Sequence, residues 1–512
     1  MSVIDEADRL ARPGRIGPVP TSLVGIVIVL DSLAINLLYL GRQPLWNDEA
    51  FSYFVSRDGL AQSLFWIQKD NQPPLYYLCL SLWQRFGSSE FALRSLSAIA
   101  IALASGLVFM TARQIYGRRA GLYASLLFVL SPLLVNWSQK ARPYGLQTMF
   151  CALAVWGVAR VTSSEAARTR WIGTSTFTAE RKNSGDLNPD IGWAAYAVGA
   201  ACALLTQHTA GFFILALNIA ATLWMVIGGT AWRRWYINWI AAQLVMVLIW
   251  ALWLPGFIEQ VARLTHIDAG NSPQFFISPT QFWKDTLDVF STYSLWRAQP
   301  VAAALYLAVA LYGVRSLPWR TPWPVFLACA IVLPYLICAG GFFLVHPVFG
   351  YILATFVWIE IPLIIFIGAS IASLRHPLVR MTVLLGFAAF NIWGLYNYYQ
   401  TSHPAADQVA AELRARAQPG DAIVLSRYAD AVSALGYYLR SDPVELAGLD
   451  LSRDREGLIR SSDDLKPYKR VWVVVPAEAQ PAIDPSQANL GFHLISEQAI
   501  GGYWLRCYES GA

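Results

Sequence analysis

Pro44-Leu45-Trp46-Asn47-Asp48-Glu49-Ala50-Phe51 follows the first long apolar run of the chain and puts two adjacent carboxylates just beyond it. The run, 23–40, is preceded by Arg9, Arg12 and Arg15 and leaves through Gly41-Arg42-Gln43. A cleaved leader has a shorter core and a small-residue cleavage site, so the run reads as a retained membrane span. Paired acids at a membrane surface are costly to dehydrate unless they meet a base, a metal or a substrate. One stretch thus indicates both a membrane protein and chemistry at its surface.

Composition agrees with a chain that sits largely in lipid. Of 512 residues 56% are hydrophobic and 14% charged, and the mean hydropathy is +0.42. Soluble domains carry roughly 25% charged residues. The 21 Trp gather with Tyr near the ends of apolar runs, as interfacial belts do. A net charge of +5 without a basic, aromatic-laced patch argues against a nucleic-acid partner. The six Cys show no CxxC and no zinc spacing, so neither a disulfide framework nor a Cys metal site is indicated.

Further apolar runs lie near 93–112, 120–137, 144–160, 191–206, 209–228, 236–254, 300–316, 323–344, 348–371 and 381–398. With 23–40 they predict a mainly α, polytopic membrane protein of about eleven transmembrane helices, at roughly 20 apolar residues per crossing. The run 191–228 reads as a hairpin because Thr206-Gln207-His208-Thr209 interrupts it. Basic residues cluster in alternate connections, at Arg9/Arg12/Arg15, Arg113/Arg118/Arg119, Arg160/Arg168/Arg170/Arg181/Lys182, Arg233/Arg234, Arg315/Arg320 and Arg375/Arg380. The positive-inside rule then puts the N-terminus in the cytoplasm, and an odd number of spans sends the C-terminus outside. The tail 1–22 is cytoplasmic in this reading, and 23–400 is the transmembrane domain. Its long outer loops are 41–92 and 255–299; loops of that length are usually functional. The short apolar stretch 75–86 is expected along the membrane surface. Phe275-Phe276, Phe282-Trp283 and Trp296 suit a lid against the lipid interface.

From about Thr401 the composition turns polar. Helices are expected at 407–417 and 429–440, and strands at 422–426, 444–447, 470–475, 492–496 and 503–508. The alternation predicts a small extracytoplasmic α/β domain, 401–512.

Several residues are chemistry candidates. Asp48, with Glu49 beside it, suits a base that takes a proton from an acceptor hydroxyl; the plainer alternative is a solvated pair at a helix start. Asp70, ahead of Gln72-Pro73-Pro74, has a structural role as a turn that opens a helix, and can still face the same cavity. Lys140, Arg142 and Tyr144 lie in Ser138-Gln139-Lys140-Ala141-Arg142-Pro143-Tyr144-Gly145. They suit phosphate binding, since Arg offers forked hydrogen bonds and Lys a point charge. The alternative is interfacial snorkelling. Arg94 opens an apolar helix on the same side and needs a partner there. His208, His266 and His346 lack metal-ligand spacing. Asp48, Glu49 and Asp70 together would offer oxygen ligands to a divalent cation; no other cofactor is indicated.

Four segments in order, Trp46-Asn47-Asp48-Glu49-Ala50, Asn71-Gln72-Pro73-Pro74-Leu75-Tyr76-Tyr77, Gly87-Ser88-Ser89-Glu90-Phe91-Ala92-Leu93-Arg94 and Lys140-Ala141-Arg142-Pro143-Tyr144, resemble the GT-C glycosyltransferases. The likeness is to bacterial relatives of the protein O-mannosyltransferases and of the lipid A aminoarabinose transferases. It is strong over about the first 150 residues and topological beyond. The resemblance implies a GT-C fold in a bacterial inner membrane. It implies transfer of one sugar from a polyprenyl-phosphate carrier to a glycan, lipid or protein acceptor on the outer face, with inversion. Asp48 is then the general base and Glu49 its partner, placed to position the acceptor. Arg94, Lys140 and Arg142 hold the donor phosphate, with Tyr76, Tyr144 and Tyr351 as further site candidates. Two departures stand out. Gln72 replaces a His common before the Pro-Pro pair, and Phe349-Gly350-Tyr351 lacks an Arg common before that Tyr. A transporter or lipid flippase is the alternative, and would show paired halves or mid-membrane charges; Asp31 is the main ionisable residue inside a span. A non-catalytic scaffold displaying the C-terminal domain is a third reading.

Overall fold

The computed structural model describes residues 20–68, 72–168, 189–228, 233–266, 278–290, 299–317, 319, 322–340, 343–344, 356–401, 405–425, 430–440, 462–476, 485–487 and 491–511. Asp70, Tyr351, Gly350, His346, the strand expected at 444–447 and the aromatics Phe275, Phe276 and Trp296 lie outside them.

Each apolar run holds a helix. The first described helix is α1 (Thr21–Leu37), followed in the loop 41–92 by α2 (Asn47–Ser56), α3 (Leu60–Gln68) and α4 (Leu75–Trp83). Then come α5 (Glu90–Tyr116), α6 (Arg118–Val129), α7 (Pro132–Ser138), α8 (Tyr144–Arg168), α9 (Pro189–Thr206), α10 (Ala210–Gly228) and α11 (Arg233–Trp250). The second outer segment supplies α12 (Leu254–His266) and α13 (Pro279–Phe290), and α14 (Gln299–Ser316), α15 (Pro322–Gly340), α16 (Glu360–Ala372) and α17 (Pro377–Gln400) complete the bundle.

Among the described residues four stretches, Glu90–Tyr116, Tyr144–Thr162, Arg233–Ala262 and Pro377–Gln400, are long and apolar enough to cross a membrane. The run expected as one straight span at 120–137 is instead α6 and α7, bent by 56°. Pro132 cannot donate to the α6 ladder, and the Ser131 hydroxyl accepts from the Leu134 amide to start a new helix. Helices 1, 9, 10, 15 and 16 contain shorter apolar stretches of 10–17 residues.

The outward faces are apolar. Leu244, Leu248, Leu252, Leu307 and Leu311 are all exposed, a surface that suits lipid and not water. Inside, small residues let helices touch. A Cβ at Gly157 of α8 would lie 2.6 Å from the Gly192 carbonyl oxygen and the Tyr196 amide of α9, and one at Gly199 would meet the Ala154 amide at 2.8 Å. Close backbone contact of this kind holds membrane helices where burial alone gives little drive. In the second outer segment, α13 buries Phe282 against Tyr335 of α15 and against Phe343. It also buries Asp285 and Asp288, whose carboxylates accept from Gln281 and Gln299.

The C-terminal part carries α18 (Ala406–Arg416), β1 (Ala422–Leu425), α19 (Asp430–Leu439), β2 (Arg470–Pro476), β3 (Phe492–Ile500) and β4 (Tyr503–Ser510). The sheet order is β1-β2-β4-β3, with β1 parallel to β2 and the other pairs antiparallel. Trp472 is fully buried at its centre, its indole N–H donating to Asp421 at 2.7 Å. One hydrophobic core joins this domain to the first outer loop: Leu45, Ala50, Phe54, Tyr76, Tyr77 and Leu80 pack in it with Val409, Leu435, Tyr437 and Leu505.

A bulkier residue at the α8–α9 crossing has nowhere to go, because the opposing atoms are backbone. Gly157→Leu is expected to destabilise the bundle by about 2–3 kcal/mol, within the range for overpacked cores. The thermal midpoint in detergent should fall accordingly, while Gly386→Ala, where nothing lies within 4 Å of the added carbon, should hold it or raise it slightly.

Candidate active site

The site is built where the first outer loop meets the starts of α5 and α8. Helix α2 begins at Asn47, and the Glu49 carboxylate reaches back to the Trp46 amide at 3.3 Å, as the third residue of a helix does in a capping box. Successive helical residues lie about 100° apart, so the two acids part company. Glu49 turns inward and is 1% exposed; the Asp48 side chain stays 43% exposed.

Glu49 meets Arg94 of α5. Arg94 Nε donates to Glu49 Oε1 at 2.8 Å and Nη2 to Oε2 at 2.7 Å, a bidentate fork. The remaining guanidinium hydrogens reach the carbonyls of Leu40 at 3.0 Å, Gln43 at 2.8 Å and Pro44 at 3.0 Å. The Ala141 amide adds a further bond to Glu49 Oε1 at 2.8 Å. Burial pushes the Glu49 carboxyl up, but the Arg94 charge and these hydrogen bonds win and hold it below the usual carboxylate range.

This geometry gives the pair a different job from the one expected. All five N–H groups of Arg94 are engaged by protein acceptors, so none remains to fork onto a phosphate. Both Glu49 oxygens already take two donors each, so it does not orient an acceptor. The pair ties the loop to the bundle. With both Glu49 oxygens engaged, Asp48 and Glu49 do not form a cation site, and the described residues hold no cluster of three metal-ligating side chains.

Asp48 faces Arg142. Arg142 Nη2 lies 3.6 Å from Asp48 Oδ2, and Nη1 donates to the Asp48 carbonyl at 3.3 Å. The Arg142 side chain is 8% exposed, and the Ser97 hydroxyl of α5 holds its carbonyl at 3.1 Å. Tyr144 packs edge-on to Trp137 at 4.7 Å. Lys140 lies with its ammonium over the Trp137 ring at 4.2 Å and the Trp46 ring at 5.3 Å. Burial pulls its pKa down to about 8, against the pull of Glu49 and Asp48. It lines a small polar cavity with Tyr39, Arg42, Gln43, Gln139 and Tyr398, and no hydrogen-bond acceptor holds it among the described residues. At the rim, Tyr39 sits at φ 56°, a left-handed conformation that bulky residues rarely adopt, and Arg42 lies over its ring at 5.5 Å.

Tyr76 is fully buried, and burial pushes its hydroxyl well up, with the Arg142 charge the largest opposing influence. Gln72 presents its carbonyl to the Gln260 amide of α12 at 2.9 Å, while its own Oε1 is buried without a partner among the described residues. Gln260 also donates to Ile67 and accepts from or faces His208 at 3.0 Å, which brings α12 and the 207–209 turn onto the loop. Neither this bridge nor the Ala141 amide could be anticipated from the residues, since backbone donors and acceptors leave no mark in composition.

Comparisons with known proteins agree on the fold. Residues 71–179 match the family of dolichyl-phosphate-mannose-protein mannosyltransferases. No curated protein matches the sequence. The chain resembles the structure of ArnT from Cupriavidus metallidurans in the apo state, with a TM-score of 0.58 at 13% identity, over 94% of this chain and 97% of that one. The same protein bound to undecaprenyl phosphate gives 0.56 at 14%, over 95% and 98%. The archaeal oligosaccharyltransferase AglB from Archaeoglobus fulgidus, in complex with an inhibitory peptide and a dolichol-phosphate, gives 0.53 at 11%, over 94% and 74%. The resemblance carried by the motifs at 46–144 therefore stands: this is a chain of the GT-C fold, similar to ArnT and to the protein mannosyltransferases.

Removing one member of a buried pair leaves the other charge uncompensated. Arg94→Met should cost about 3–5 kcal/mol in stability, whereas Arg94→Met combined with Glu49→Leu should recover much of it. The sign with pH follows from the lowered carboxyl. Its contribution is complete above the ordinary value of 4.5 and is lost as pH falls through the lower folded value. Thermal midpoints between pH 3 and pH 7 should therefore fall with acid more steeply in the wild type than in the double variant, as read by a roughly flat difference above pH 5.

Proposed function

We propose that this protein is a membrane glycosyltransferase that moves a single sugar from a polyprenyl-phosphate carrier to an acceptor on the outer face of a bacterial inner membrane. The N-terminus is cytoplasmic and the C-terminal domain extracytoplasmic in this reading. One observation carries it: of two adjacent acids, one is fully engaged in holding the loop, and the other, Asp48, is left exposed beside two cations, Arg142 and Lys140. The sequence likeness at 71–179 and the fold point to the same reaction class. A lipid-linked phosphate donor is in keeping with ArnT bound to undecaprenyl phosphate and AglB bound to a dolichol-phosphate.

In this mechanism Asp48 takes the proton of an acceptor hydroxyl as its oxygen attacks the anomeric carbon. The bond from that carbon to the phosphate oxygen breaks, and the phosphate leaves with the electron pair. One displacement inverts the anomeric centre. The phosphate departs as a stable anion, so no strong general acid is required. Lys140 and Arg142 supply positive charge where it gathers. Arg94 contributes only through the position it gives the loop. The charged groups of the candidate site, Asp48, Lys140 and Arg142, gather in the loops at one end of the bundle, which favours an enzyme over a transporter.

Purified protein in nanodiscs, given a panel of polyprenyl-phosphate sugars, should release sugar to water or acceptor. Asp48→Asn should lower the rate by about 10²–10⁴-fold, the usual worth of a general base, with an unchanged thermal midpoint. A folded Asp48→Asn that keeps wild-type turnover would remove Asp48 as the base.

The Lys140 ammonium adds a pH signature. A phosphate favours its charged form, which the free site loses above about pH 8. Apparent donor affinity should therefore weaken as pH rises through 8, by up to about tenfold per unit, and Lys140→Met should flatten that limb. KM for the donor measured from pH 6.5 to pH 9.5 checks it.

A further inference from the structure

We propose that the C-terminal domain is a working part of this site: helix α19, through Tyr437 and Tyr438, positions the loop helix α2 that carries Asp48. The catalytic consequence rests on the reading of Asp48 above; the mechanical claim does not. Tyr438 Oη accepts the Leu45 amide at 2.7 Å, two residues before α2 begins. The same hydroxyl donates to Glu90 Oε1 at 3.0 Å, on the first residue of α5. Tyr437 Oη donates to the Ser88 carbonyl at 2.6 Å, beside the Ser89 cap of α5. Its ring stands edge-on to Tyr53 of α2 at 5.0 Å, and Arg440 covers both rings, at 3.8 Å and 5.5 Å.

One short helix thus grips the entry to α2, its middle and the start of α5. Those are the two segments that Glu49 and Arg94 join. The grip matters because α2 has only ten residues, and helices shorter than about 12–15 residues are marginal without packing. Its apolar face, Ala50 and Phe54, is buried in the core it shares with Leu435, Tyr437 and Val409. A domain that merely docks acceptors or covers the membrane surface has no need to supply an acceptor for a loop amide. Here it does, so a displacement of α19 moves Asp48 relative to Lys140 and Arg142, which are anchored to the bundle.

The test compares full-length wild type, Tyr438→Phe and Glu90→Gln in nanodiscs by amide hydrogen exchange and by transfer kinetics. Tyr438→Phe removes the acceptor for Leu45, so exchange at 45–56 should quicken roughly tenfold, the effect of one ordinary hydrogen bond. Exchange in β2 and β4 should stay at wild-type rates. The rate constant for transfer should fall by a similar factor with donor KM within about twofold, since the base and not the phosphate site has moved. Glu90→Gln still offers an oxygen to the Tyr438 hydroxyl and should behave as wild type. Unchanged exchange at 45–56 in a folded Tyr438→Phe overturns the proposal. If that variant does not fold, Tyr437→Phe carries the same test at 86–92, where it loses the bond to Ser88. If the wild type transfers no sugar, the functional reading falls while the exchange data still decide the positioning role.

Discussion

The buried pair of Glu49 and Arg94 is the constraint on which the site depends. Two opposite charges, 1% and 3% exposed, sit at the outer end of a helical bundle. Dehydrating them is costly, and their attraction offsets that only when every remaining donor and lone pair is met. Here it is met by the carbonyls of Leu40, Gln43 and Pro44 and by the amides of Trp46 and Ala141. Each of those backbone groups belongs to the segments that must be held: the exit of α1, the entry of α2 and the 139–143 turn. The ion pair therefore ties the loop's conformation to its own solvation: a change of loop shape would leave both buried charges short of partners.

From that follows the division between two adjacent acids. A helix turns neighbouring side chains about 100° apart, so fixing Glu49 inward fixes Asp48 outward, onto Arg142 and toward Lys140. The cations differ in the same way as the acids. Arg94 is neutralised and fully bonded, while Lys140 rests against two indole rings that stabilise its charge without occupying its N–H groups. The structural pair thus keeps Asp48 in register with Arg142 and Lys140.

Much of this was legible in the chain. The apolar runs announced the helices because length and hydropathy alone decide a membrane-compatible helix, but the 56° bend at Pro132 within 120–137 was not anticipated. The strands expected at 422–426, 470–475, 492–496 and 503–508, as β-branched and aromatic runs between turns, lie at Ala422–Leu425, Arg470–Pro476, Phe492–Ile500 and Tyr503–Ser510. The motifs placed Asp48, Glu49, Arg94, Lys140 and Arg142 together, as the fold does. What could not be read was the role of each. Asp and Glu side by side are chemically alike, and only the third dimension says which one meets an arginine. The amide of Ala141 and the carbonyls around Arg94 carry no side-chain signal at all. Tyr437 and Tyr438 lie some 390 residues from Leu45 in sequence, and an aromatic pair on a short amphipathic helix looks the same whether it faces a core or a catalytic loop.

The same physics explains why the C-terminal domain packs on this loop. Lipid offers no drive to hold a short polar loop in one shape, since the loop's backbone groups are as well served by interfacial water. The bundle can anchor the loop only at its ends and through Arg94 from below. Apolar burial from above has to come from a structure that keeps a core in water, and a four-stranded sheet with α18 and α19 against it is one. Clamping the ten-residue α2 between a charged anchor in the bundle and an aromatic face of that domain gives Asp48 a fixed position while leaving its carboxylate in contact with solvent.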